Sequence, residues 1–159
     1  MNSYDPEVAR RVWQRVQQPM PEASVSALPI PNLSELMAGK WQDAAIYQQL
    51  SKGLQNAAFH KLQEEEQAQL ACLQGIYAMR NGSRPPIHQA APKPMPAEAA
   101  LRRCCSRELQ SYKAYLALSS DPEYGPVFAR LARQELEHCL LALELLGRFE
   151  PKPKHPTRR

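Results

Sequence analysis

The chain reads as an all-α protein, a four-helix bundle built from two antiparallel hairpins behind a short N-terminal helix. Three observations predict this. Apolar residues recur at helical spacing in four long segments. These segments fall into two pairs that look like copies of one hairpin, with a carboxylate in the apolar stripe of every helix. A proline-rich stretch, residues 82–96, separates the pairs.

Taken in order, Asp5-Pro6 reads as an N-cap followed by proline at the first helical position. Val8, Val12, Trp13 and Val16 then follow at helical spacing, and this short amphipathic helix ends near Pro19. Residues 20–31 contain Pro21, Pro29 and Pro31 among small polar residues and are expected to form an irregular strap, so residues 1–31 stand apart from the bundle.

The bundle is expected over residues 32–148. Asn32 and Glu35 form a capping pair for the first long helix, whose stripe runs Leu36, Asp43, Tyr47, Leu50 and which closes near Gly53. The second runs from about Asn56 to Arg80, stops on Asn81-Gly82, and has the stripe Phe59, Leu62, Glu66, Gln69, Leu73, Ile76; Lys61 and Glu65 fall on its outer face. The third spans about Ala97 to Leu118, with Leu101, Cys104 or Cys105, Glu108, Tyr112 and Tyr115 in line, and breaks at Ser119-Ser120-Asp121-Pro122. The fourth spans about Pro126 to Leu146, with Phe128, Leu131, Glu135, His138, Ala142 and Leu145 in line, and Gly147 ends it. Residues 149–159 form a basic, proline-rich tail.

The connector between the pairs holds Pro85, Pro86, Pro92, Pro94 and Pro96, too many for a helix. Extended, it spans roughly 45 Å, against roughly 36 Å for a helix of its neighbours' length. It is long enough to return along the whole bundle, whereas an up-down-up-down bundle needs only a few residues at this point. Two hairpins joined by a long crossover are therefore expected.

Composition narrows function by exclusion. A formal charge of +4 owes part of its value to the tail, so the folded body is nearer neutral and a nucleic-acid role gains little support. No apolar run approaches the ~20 residues of a membrane span, and the N-terminus has no apolar signal segment, so the expected location is cytoplasmic. Cys72, Cys104, Cys105 and Cys139 include no C-x-x-C pair and are expected as free thiols in helix interiors. His60, His88 and His155 have no matching partners.

The carboxylates carry the functional argument. Antiparallel helices bring together residues equally far from their turn. The midpoint of Asp43 and Glu66 falls beside Gly53, and that of Glu108 and Glu135 falls on Asp121-Pro122. All four acids should therefore meet in one layer near mid-height. Burying them is costly unless something positive compensates, and a metal ion is the usual compensator. His138 follows Glu135 by three residues, which puts imidazole and carboxylate on one face as a two-ligand unit. The first copy has Gln69 at the equivalent position after Glu66, and Asp43 where Glu108 stands in the second copy, so the halves are not equivalent.

Over about residues 33–147 these features resemble the ferritin-like superfamily, and its rubrerythrin-like members in particular. The resemblance rests on the duplicated hairpin, the long crossover, the acid four before tyrosine (Asp43/Tyr47, Glu108/Tyr112), and the Glu-x-x-His pair with its altered copy (Glu135/His138, Glu66/Gln69). It implies a di-iron carboxylate centre, with Asp43 and Glu108 as terminal ligands, Glu66 and Glu135 as bridges, and His138 on one metal. It makes iron the first expected metal and manganese the second, and the reaction an oxidation with O2 or peroxide. Gln69 in place of histidine weakens one of the two positions, so asymmetric occupancy is expected. Gln69, Tyr47 and Tyr112 are expected just outside the ligands, the tyrosines packing in the core with hydroxyls turned toward the carboxylates. Ser111 stands where rubrerythrins often carry a further glutamate, and no iron-sulfur module is present. The competing expectation is a bundle with a decayed metal site that serves as a binding or structural module. The oligomer considered is a homodimer through the N-terminal helix.

Overall fold

The computed structural model describes residues 32–83, 85 and 89–149. The expected N-terminal helix, the strap, the tail beyond Phe149 and part of the connector lie outside the described residues. Within them the protein is a bundle of four helices with no strand: α1 (Leu33–Leu54), α2 (Ala57–Asn81), α3 (Ala97–Leu118) and α4 (Gly125–Gly147).

Local chemistry sets the helix ends. Asn32 Oδ1 accepts the Glu35 N–H at 2.9 Å and Glu35 Oε2 accepts the Asn32 N–H at 3.0 Å, a reciprocal cap that satisfies two donors the first turn leaves open. Asn56 caps α2 through the Ala58 N–H, and Gly82 closes it at φ +67°, where glycine has no Cβ to clash. The α1–α2 turn departs from expectation. The left-handed residue is Gln55 (φ 47°) and not a glycine, because Asn56 already caps α2 and only Gln55 is left to reverse the chain. At the α3–α4 turn, Asp121 Oδ1 accepts the N–H groups of Glu123 and Tyr124, and its other oxygen pairs with Arg80. The Arg80 guanidinium also lies 5.0 Å from the Tyr124 ring centroid, so the end of α2 is fastened to this turn. Gly125 is obligatory there: a Cβ would sit 2.4 Å from the Ser119 carbonyl oxygen.

Packing divides the interior into three layers. One apolar cluster unites Ile46, Leu50, Phe59, Leu62, Leu101 and Leu145; the other unites Leu36, Met37, Leu73, Ile76, Phe128 and Leu131. Each fully buried Leu, Ile or Phe contributes roughly 1.5–3 kcal/mol by leaving water. The first cluster draws on the end of α1 and the start of α2, and on the start of α3 and the end of α4; the second draws on the opposite ends. Hence α1 and α4 run one way, and α2 and α3 the other. The end of α2 and the start of α3 thus lie at opposite ends of the bundle, and the intervening residues 89–96 carry no regular structure. Gln89 Oε1 accepts from Gln42 at 2.6 Å and the Pro92 carbonyl from Gln49 at 3.1 Å, so this segment follows α1. Between the two apolar clusters lies a polar layer, and it holds the site.

Candidate metal centre

Every helix contributes to the polar layer. Lys40 and Asp43 come from α1, Glu66 and Gln69 from α2, Glu108 and Ser111 from α3, and Glu135 and His138 from α4; all are buried. The sequence therefore brings all four predicted carboxylates to mid-height. Glu66, Glu108, Glu135 and His138 each offer a donor atom within 4.8 Å of the others', so this buried group can hold a metal ion.

The resident compensator is one that the carboxylate pattern did not reveal. Lys40 is fully buried, and its Nζ lies 2.5 Å from Glu135 Oε2, 3.0 Å from Glu66 Oε2 and 3.3 Å from Glu108 Oε2. Burial works against the ammonium charge, but Glu66, Glu108 and Glu135 together outweigh it and hold Lys40 well above the ordinary lysine range. The signal was present: Lys40 lies four after Leu36 and three before Asp43, in line with the α1 stripe.

His138 lies between two carboxylates. Its Nδ1 is 2.7 Å from Glu66 Oε1 and its Nε2 is 2.9 Å from Glu65 Oε2. Burial disfavours the imidazolium, yet the neighbouring Glu108 and Glu66 carboxylates prevail and push His138 up to about 10. Glu65, expected on the outer face of α2, is half-buried and partners the histidine instead, because one helical step from Glu66 still leaves it on the flank facing α4. The acids divide. Burial and the nearby Glu108 and Glu66 charges push Glu135 well above the carboxylate range despite Lys40. Burial also opposes the charge of Glu108, but Lys40 and the nearby His138 hold it well below that range.

Asp43 stands apart from the four clustered donors. Its Oδ1 is 2.6 Å from Arg107 Nη2, an ion pair outside hydrogen-bonding alignment, and both of its oxygens are buried without a hydrogen bond. Burial pushes Asp43 up to about 7, with Lys40 and Arg107 opposing. Arg107, a second residue that sequence reasoning missed, also donates to Gln42 Oε1 at 2.5 Å and to the Gly39 carbonyl at 2.9 Å. It walls a cavity of about 380 Å³ that opens between α1, α3 and Gln89 and is also lined by Gln110 and Ser111. Around the site, Tyr47 donates to Glu108 Oε1 at 3.1 Å, as its position suggested. Tyr112 does not match it. Tyr112 is half-buried beside the second apolar cluster, and Tyr115 is the tyrosine that reaches the layer, donating to Gln69 Oε1 at 3.4 Å. Tyr112 lies four residues beyond Glu108, about 40° further round the helix, whereas Tyr115, seven beyond, returns almost to the Glu108 direction.

Several donors have an unmet need. Glu135 Oε1 and Asp43 Oδ2 are buried with neither a hydrogen bond nor an ion pair, and Gln69 Nε2 has no acceptor. Orphaned carboxylate oxygens in a buried layer, beside an imidazole and two further carboxylates, form an N/O donor set that suits divalent iron, manganese or zinc. The residues therefore fit a metal ion.

Compared with known protein families, curated proteins and solved structures, the chain matches none significantly. Among the described residues, no helix is long and apolar enough to cross a membrane.

Proposed function

We propose that this is a metal-binding bundle of ferritin-like type which takes one divalent ion per chain, iron first and manganese second. Glu66, Glu108, Glu135 and His138 would hold the ion, and Lys40 would supply the remaining positive charge. The observation that carries the reading is the convergence of four buried donors from three helices around a lysine ammonium. Three ionised glutamates balance one ammonium and one divalent cation. A second divalent ion would leave an excess of buried positive charge unless Lys40 withdrew. The asymmetry between Glu135/His138 and Glu66/Gln69 points the same way, since Gln69 offers no imidazole and Asp43 is engaged by Arg107.

When bound, such an ion supplies a redox-active Lewis acid for oxidation chemistry with O2 or peroxide. The chain's own part is to exclude water between two apolar clusters, to orient Glu108 through Tyr47, and to fix the His138 ring between Glu65 and Glu66.

A second reading is favoured by Lys40 itself. An ammonium within 3.3 Å of three carboxylates can serve as a permanent counter-ion, which would make the bundle a metal-free structural or binding module. Metal content of variants separates the two. Under the first reading, His138→Ala and Glu135→Ala lose the tight binding of ferrous or manganous ion that the parent protein has, while Gln69→His, which adds an imidazole beside Glu66, keeps it. Equal metal content in all three and in the parent protein refutes that reading.

A further inference from the structure

Cys105 on α3 and Cys139 on α4 face each other across the seam of the second hairpin. The Cys105 Sγ–H donates to the Cys139 carbonyl at 3.7 Å and the Cys139 Sγ–H to the Cys105 carbonyl at 3.9 Å. The two share the register of Glu108 and Glu135, their midpoint also falling at the Asp121-Pro122 turn. Both are half-buried, whereas Cys104 points fully into the core and Cys72 lies on α2. A free thiol fills a core gap well on its own. Two thiols opposed on neighbouring helices, each reaching the other's backbone from a partly exposed position, are placed for a joint reaction.

We propose that Cys105 and Cys139 are a dithiol–disulfide couple, closed by a hydroperoxide, which pins α3 to α4 beside the carboxylate layer. In the first step one sulfur attacks a peroxide oxygen: the S–O bond forms, the O–O bond breaks, and water leaves, or an alcohol from an organic hydroperoxide. In the second step the other sulfur attacks the sulfenic acid: the S–S bond forms, the S–O bond breaks, and the hydroxyl leaves as water with the second thiol proton. The peroxide gains two electrons and the thiols lose two. Cys139 directly follows His138, and Cys105 lies one helical turn before Glu108, so closure fixes the backbone that carries two of the clustered donors. Burial, with the neighbouring thiol, pushes Cys105 up to about 12, and burial raises Cys139 as well. The couple stands apart from the metal reading, because neither sulfur belongs to the donor set and the chemistry needs no bound ion.

The test uses the full chain treated with chelator and then with excess hydrogen peroxide, followed by alkylation and non-reducing peptide mapping. Closure removes two of the four alkylatable thiols and joins the peptide bearing Cys139 to that bearing Cys104 and Cys105. The link persists in Cys104→Ser and disappears in Cys105→Ser. Four thiols remaining, a link that follows Cys104, or a link through Cys72 overturns the proposal. The parent protein and Cys104→Ser decide the matter even if Cys105→Ser fails to fold.

Discussion

Replacing Lys40 with methionine keeps the reach of the side chain and removes its charge, leaving Glu66, Glu108 and Glu135 facing one another without their common partner. Deleting one side of a buried ion pair costs about 3–5 kcal/mol. Here three acids lose the partner at once, but proton uptake relieves part of the repulsion, so the expected loss remains in that range in metal-free protein near pH 8. Against a total stability of about 5–15 kcal/mol this is a large fraction. The pH trend follows from sign. Without the ammonium, the buried carboxylates bind protons more tightly in the folded than in the unfolded chain, so stability is retained at acid pH and lost as pH rises. The variant should lie closer to the parent at pH 5.5 than at pH 8. A divalent ion restores the missing charge: manganese at about 100 times its dissociation constant adds about 2.7 kcal/mol. Urea unfolding followed by circular dichroism, with and without manganese, measures each part. Folding only with metal would be the extreme form of the same result. A metal-free Lys40→Met protein as stable as the parent at pH 8 would refute the view that Lys40 neutralises the layer.

Metal affinity should rise with pH across the neutral range, because His138, pushed up to about 10, and Glu135, held well above the carboxylate range, must release protons to ligate; a flat profile in a manganese titration contradicts this. In metal-free protein the sign reverses: the His138 contribution to stability is full below the ordinary histidine pKa and fades as pH rises through about 10. Gly125→Ala should destabilise by about 1–3 kcal/mol, since its Cβ would meet the Ser119 carbonyl oxygen at 2.4 Å and the backbone must shift; an unchanged thermal midpoint would show that the turn gives freely. Asn32→Ala should cost about 1 kcal/mol by opening the reciprocal cap with Glu35, as read from urea midpoints.

The helices were legible because their ends carry explicit chemistry. Asn32 with Glu35, Asn56, Gly82 and the Asp121 turn fix the ends within a residue or so of where the pattern placed them. The polar layer was legible for the same reason that it is costly: an acid in an apolar stripe stands out, and equal distance from a turn predicts which acids meet. The cations did not stand out. Lys40 and Arg107 belong to the residue types most often found on solvated helix faces, so their places beside the carboxylates carried no signal by residue type alone. Glu65 was assigned to the surface by the same habit, although one helical step from Glu66 leaves it within reach of His138. Tyr112 was misjudged because the spacing of Tyr47 after Asp43 was transferred whole to α3, whereas the layer on that side is reached by Tyr115.

The most direct test of the account is metal per chain, measured by elemental analysis after anaerobic reconstitution with ferrous ion and desalting, alongside manganese-treated and untreated samples. Close to one divalent ion per chain is expected, balanced by Lys40. Two ions per chain would contradict the role given to Lys40, and none with either metal would contradict the metal centre itself and leave the lysine as the layer's permanent cation.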